Sequence, residues 1–109
     1  MAVNETSDDF LFLQVAEHDR VIIKYHTDAC GDPCIQFIPI FEKLSKDPTY
    51  NQIIFLVIDA DNNPAAKKHI LDKKQPVIAI YYKGKLMDSR HSSDEEGLKG
   101  LLDELLSEN

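Results

Sequence analysis

Val21-Ile22-Ile23-Lys24-Tyr25-His26-Thr27-Asp28-Ala29-Cys30-Gly31-Asp32-Pro33-Cys34-Ile35-Gln36-Phe37-Ile38-Pro39 is the stretch on which the fold turns. Its opening, residues 21–25, is a short run that is apolar nearly throughout, the mark of a strand buried on both faces. Residues 27–33 gather Asp28, Gly31, Asp32 and Pro33 into a turn-rich loop. A helix then follows, because Phe37, Ile38, Phe41 and Leu44 recur at helical spacing. Pro33 suits the first helical turn, where its missing N–H costs nothing. Pro39 lies within the helix and is expected to kink it. Asp47-Pro48 is expected to end it.

The pattern continues in both directions. Upstream, Ser7 precedes Asp8 and Asp9, a helix start whose carboxylates suit the positive end of the helix dipole. Phe10, Leu11, Leu13 and Val15 supply the apolar side of that helix, which ends near His18. Downstream, residues 53–58 form a second buried strand. Asp61-Asn62-Asn63-Pro64 leads into a short helix over 65–71. Gln75-Pro76 introduces a strand over 77–82, and Lys83-Gly84 turns it into a returning strand over 85–90. Ser93 and Glu96 make a capping box for a last helix striped by Leu98, Leu101, Leu102, Leu105 and Leu106. The order is α-β-α-β-α-β-β-α. Parallel strands need crossover helices and a hairpin gives an antiparallel pair, so the chain is expected to be an α/β fold with a central mixed four-stranded sheet flanked by helices on both faces. No repeat or linker divides residues 1–109, which read as a single domain.

The net charge of −7, from 12 Lys+Arg against 19 Asp+Glu, argues against nucleic acid and anionic membrane surfaces as partners. No apolar run is long enough to cross a bilayer. Residues 1–10 lack the basic start and apolar stretch of a secretion signal, so a cytoplasmic location is expected. Only two cysteines are present, Cys30 and Cys34. Reducing compartments disfavour structural disulfides, and so short a loop gains little from closure, so the pair points to redox chemistry or metal binding.

With these residues in order, the chain resembles the thioredoxin family over essentially its whole length. The family pattern is an apolar strand, a Trp-Cys-Gly-Pro-Cys loop opening a helix, and a proline five residues past the second cysteine. Cys30-Gly31-Asp32-Pro33-Cys34 and Pro39 stand in those places. Val57-Ile58-Asp59-Ala60-Asp61 matches the family's Val-Asp-x-Asp, and Pro76 and Lys83-Gly84 match its cis-proline and hairpin turn. The departures cluster at the chemistry. Ala29 replaces the usual tryptophan before the first cysteine. Asp32 lengthens CxxC to CxxxC. Lys24 replaces a buried aspartate six residues before the first cysteine, and His26 replaces a second tryptophan. Gln75 replaces a small or branched residue, and His91-Ser92 a glycine.

The resemblance implies a thiol–disulfide oxidoreductase without a cofactor, acting on protein disulfides and recharged by a thioredoxin-reductase-like or other thiol reductant. It implies Cys30 as the attacking thiol and Cys34 as the resolving one, with Ala29, Gly31, Asp32 and Pro33 shaping the loop. A helix start favours the Cys30 thiolate, and the Asp32 carboxylate opposes it, so a weaker nucleophile than the family standard is expected. Helical Cα atoms four apart lie about 6 Å from one another, within disulfide range, and Gly31 can supply a bend. Lys24 has two readings: stabiliser or proton acceptor for Cys34, or a solvent-seeking side chain packing only its stem. Gln75 and a cis Pro76 would present backbone to an extended client chain. Two other functions compete. One is a redox-impaired binding module on the same scaffold. The other is a copper or zinc site on His26, Cys30 and Cys34. The lack of a spare apolar surface favours a monomer.

Overall fold

The computed structural model describes residues 3–68, 77–91 and 94–108, with Ala29 described by its backbone. Among these residues, five strands form one sheet: β1 (Val3–Thr6), β2 (Arg20–His26), β3 (Ile54–Asp59), β4 (Val77–Tyr82) and β5 (Lys85–His91). Their order across the sheet is β1-β3-β2-β4-β5. β1 and β2 both pair parallel with β3, whereas β4 runs antiparallel to β2 and to β5. The fold is the expected mixed α/β sheet with one strand more than the expected four. Val3-Asn4-Glu5-Thr6 holds one large apolar residue and no alternating stripe, so its sequence carries no strand signal. Its placement comes from the free edge of β3, where Val3 aligns with Phe55 and Glu5 with Val57.

Among the described residues, four α-helices cover the sheet: α1 (Asp8–Glu17), α2 (Asp32–Ser45), α3 (Pro64–Lys67) and α4 (Glu95–Leu106). α2 and α4 pack Phe37, Phe41, Leu44, Leu98, Leu101, Leu102 and Leu105 onto one face, where Ile22, Phe55, Ile78 and Ile80 await them. The Phe41 and Phe55 rings meet edge-on with centroids 5.2 Å apart, a favoured aromatic geometry. The other face carries Val21, Ile23, Tyr25, Leu56 and Ile58, covered by Ala66 of α3 and by Leu11 and Val15 of α1. Alternation along β2 therefore sends Val21, Ile23 and Tyr25 one way, and Ile22 and Lys24 the other.

Several local expectations are corrected. Phe10 and Leu13 do not line the apolar side of α1; both are exposed, as is Phe12. Ser7 sits at the N-cap of α1 but its hydroxyl makes no capping bond. The cap of α4 is Asp94, whose carboxylate accepts from the Gly97 N–H at 2.7 Å, so the start lies one residue later than the Ser93 box implied. α2 stops at Ser45, and Asp47 caps a separate 3-10 turn, Pro48–Tyr50. The Lys83-Gly84 turn is present, with φ of 49° and 84°, the left-handed pair a tight hairpin needs. The expectations for residues 69–71, for Gln75 and Pro76, and for Ser92 and Ser93 lie outside the described residues.

Candidate functional site: a disulfide at the mouth of α2

β2 runs into the loop at Thr27, which is buried. A 3-10 turn, Asp28–Cys30, follows. It is closed by the Cys30 N–H donating to the Thr27 carbonyl at 3.1 Å and the Gly31 N–H to the Asp28 carbonyl at 3.2 Å. Ala29 is the central residue of this turn. Gly31 then reverses the chain with φ 67° and ψ −138°, a conformation open to glycine and costly for other residues. It is the N-cap of α2, with Asp32 and Pro33 in the first turn and Cys34 directly behind them. The expected bend at Gly31 thus lies between the two cysteines.

Cys30 and Cys34 are joined, with Cα atoms 5.7 Å apart, inside the normal disulfide range. The longer spacer therefore does not prevent the bond. Both cysteines are buried, at 5% and 2% exposure. In this oxidised form Cys30 is more shielded than an attacking thiol at a helix mouth was expected to be. Asp32 and Pro33 are exposed beside it. Ile35 and Ile38, on the first turns of α2, are also exposed, so apolar surface adjoins the sulfurs.

A carboxylate that the sequence reading treated only as a family landmark holds this loop. Asp61 follows β3, and its Oδ1 accepts from the Thr27 hydroxyl and its Oδ2 from the Asp28 N–H, each at 2.9 Å. Those two bonds, the backbone one foremost, hold its carboxyl below the usual carboxylate range. Asp59 supports Asp61 in turn by accepting its backbone N–H at 3.0 Å. The Asp-x-Asp spacing was visible, but its partners are some 30 residues away in sequence, and only the fold brings them together.

Lys24 is buried, at 4% exposure, and the solvent-seeking reading of it is corrected. Its neighbours across the sheet are Val57 and Ile78. It lines a cavity of about 380 Å³ together with Val3, Glu5, Thr6, His26, Ile38, Phe41, Glu42, Val57 and Asp59. Burial pushes its ammonium below the ordinary value, while the Glu42 carboxylate pulls the other way. His26 Nε2 lies 3.6 Å from Asp28 Oδ1. Among the described residues, no three His, Cys, Asp or Glu side chains converge as a metal ion requires. The structure thus brings Cys30, Gly31, Asp32, Pro33 and Cys34 together, sets His26 against Asp28, and turns Lys24 into the α2 face of the sheet.

Comparison with known proteins agrees with this geometry. The Thioredoxin family model matches residues 2–104. Thioredoxin of Ictalurus punctatus is 32% identical over 87 residues, 80% of either chain. Among solved structures, thioredoxin f from spinach chloroplast superposes with a TM-score of 0.83 at 23% identity, covering 96% of this chain and 94% of that one. A chain from the complex of ferredoxin:thioredoxin reductase and thioredoxin f2 gives 0.82 at 25% identity, covering 96% of each.

Proposed function

Because the chain belongs to the thioredoxin family and is a thiol–disulfide oxidoreductase, we propose that it reduces protein disulfides with Cys30 as the attacking sulfur and Cys34 as the resolving one. The observation that carries this is the bond between Cys30 and Cys34 across a three-residue spacer. In the reduced protein the Cys30 thiolate attacks one sulfur of a client disulfide. A mixed disulfide forms and the other client sulfur leaves as a thiolate. The Cys34 thiolate then attacks the Cys30 sulfur, and the second client thiol is released. The client leaves with two electrons more, and the protein ends with the Cys30–Cys34 bond. Cys30 is assigned the first step because it precedes α2, outside the ladder that encloses Cys34. Ile35 and Ile38 are apolar ground on which a client segment can rest beside the sulfurs. Gln75 and Pro76 keep their client-contact assignment by family resemblance.

Lys24 is assigned the proton of Cys34. A buried amine with a depressed pKa has a neutral fraction able to accept it, a role an ordinary surface lysine fills poorly. A reductase of the kind that recharges family members supplies the electrons; one solved relative is seen in such a complex. We place the protein in the cytoplasm as a monomer, where the glutathione and thioredoxin pools keep such pairs turning over. Turnover is slower than for a two-residue spacer, since Asp32 sets a carboxylate beside the developing thiolate.

The test is trapping. The reduced Cys34→Ser variant is expected to accumulate a mixed disulfide with a disulfide-bonded client such as insulin, whereas Cys30→Ser accumulates none, and neither variant catalyses insulin reduction. Trapping through Cys34 in the Cys30→Ser variant would reverse the assignment. Reversible loss of two hydrogens by mass on oxidation of the wild type checks the couple itself.

A further inference from the structure

The cavity beside Lys24 holds a nucleophile that disulfide exchange does not need to expose. Lys24 is the one buried lysine among the described residues; Lys43, Lys46, Lys67, Lys68, Lys83, Lys85 and Lys99 are all exposed. Lys43 and Lys99 are tied to Glu95 at 2.7 and 3.2 Å, whereas no carboxylate among the described residues lies within ion-pair distance of the Lys24 amine. The cavity reaches it, and about 380 Å³ is room for a small molecule. Desolvation favours the neutral, nucleophilic form of the amine, with Glu42 opposing.

We propose that Lys24 captures short, neutral aldehydes as imines inside this cavity. The amine nitrogen adds to the carbonyl carbon, a carbinolamine forms, and water leaves to give the imine; no redox change occurs. The walls choose the ligand. Val3, Ile38, Phe41 and Val57 line the space and suit a short aliphatic chain. Glu5 of β1, Glu42 of α2 and Asp59 of β3 are exposed members of the same lining. Those three carboxylates repel anionic electrophiles and stabilise the protonated imine that follows capture. An acyl donor would instead leave a neutral amide and forfeit that attraction. His26 of β2 completes the polar lining and offers a proton carrier for loss of water.

The experiment uses the oxidised wild-type protein, whose sulfurs are bonded to each other and unable to add to an aldehyde. It is treated at neutral pH with limiting propanal and cyanoborohydride, which delivers hydride to the imine carbon and fixes a propyl group. Peptide mass mapping then gives the rate at each lysine. Lys24 is expected to be propylated roughly tenfold faster than Lys46, Lys68 and Lys85, because its amine is held below the ordinary lysine value by burial and lines the cavity. Glyoxylate, the same carbonyl bearing a carboxylate, is expected to lose that preference. Labelling of Lys24 no faster than of those three lysines overturns the proposal, and equal selectivity with glyoxylate overturns its ligand class. Ile38→Trp narrows the cavity at an exposed lining residue. It is expected to slow Lys24 alone, and an unchanged rate overturns the cavity as the route. Disulfide reduction is not read in any arm, so the result stands apart from the assignment of Cys30 and Cys34.

Discussion

α1 and α2 flank the same sheet from opposite sides, and their sequences look comparably apolar, yet one is built into the core and the other rests on it. α2 buries Cys34, Phe37, Phe41 and Leu44, which recur at three, four and three residues and so form one stripe. α1 carries Phe10-Leu11-Phe12-Leu13 in succession and buries none of its residues fully. At about 100° per residue, four consecutive side chains sweep most of the way round a helix. Only Leu11 and Val15, four apart, turn inward. The number of apolar residues says little about burial; their spacing decides it. The consequence is functional as well, since Cys34 belongs to the helix whose apolar stripe is built into the core.

Substitutions can break or sharpen this contrast. The largest effect is expected from Phe41→Ala on α2, which empties the contact with Phe55 and lowers unfolding free energy by about 3–5 kcal/mol in urea titration. A loss below about 1 kcal/mol would mean that α2 is not the structural helix described. Next comes Lys24→Met, which replaces a buried cation facing α2 with an apolar chain and is expected to stabilise by about 1–2 kcal/mol at neutral pH. Its pH signature has a definite sign. The folded pKa of Lys24 lies below its ordinary 10.5, so between the two values the unfolded chain binds more protons and stability rises with pH. Lys24→Met should flatten that rise, and an unaltered slope would show that burial does not perturb the amine. Leu11→Ala is expected to cost about 1 kcal/mol, as fits a half-buried contact on α1. The smallest change is expected for Phe12→Ser, which removes a large aromatic that is 71% exposed and should shift the thermal midpoint by no more than about 0.5 kcal/mol allows. A larger loss would show that α1 is covered in solution.

Much of the scaffold was legible in one dimension. β2 and β3 announce themselves as apolar runs, Lys83-Gly84 as a hairpin turn and the leucines of α4 as a stripe. Each signal sits within one element and reports which of its faces avoids water. The disulfide was legible for the same reason, because Cys30 and Cys34 share one turn of chain around Gly31. β1 was not legible. Glu5 and Asn4 are exposed edge residues, and what makes them a strand is the open side of β3. The cap of α4 was legible only to within a residue: Ser and Asp both cap well, and Asp94 is the one that accepts from Gly97.

Sequence by itself determined the α/β order, the apolar strands and a pair of cysteines able to bond at the start of a helix, since propensity, period and short-range distance are local properties of the chain. Tertiary structure alone decided that Lys24 is buried beneath α2 beside a cavity and that Asp61 clamps the loop at Thr27 and Asp28. It also decided that β1 closes the sheet and one wall of the cavity. These depend on strand register and helix packing between residues far apart in the chain, and there the energy of one contact is set by many others forming with it.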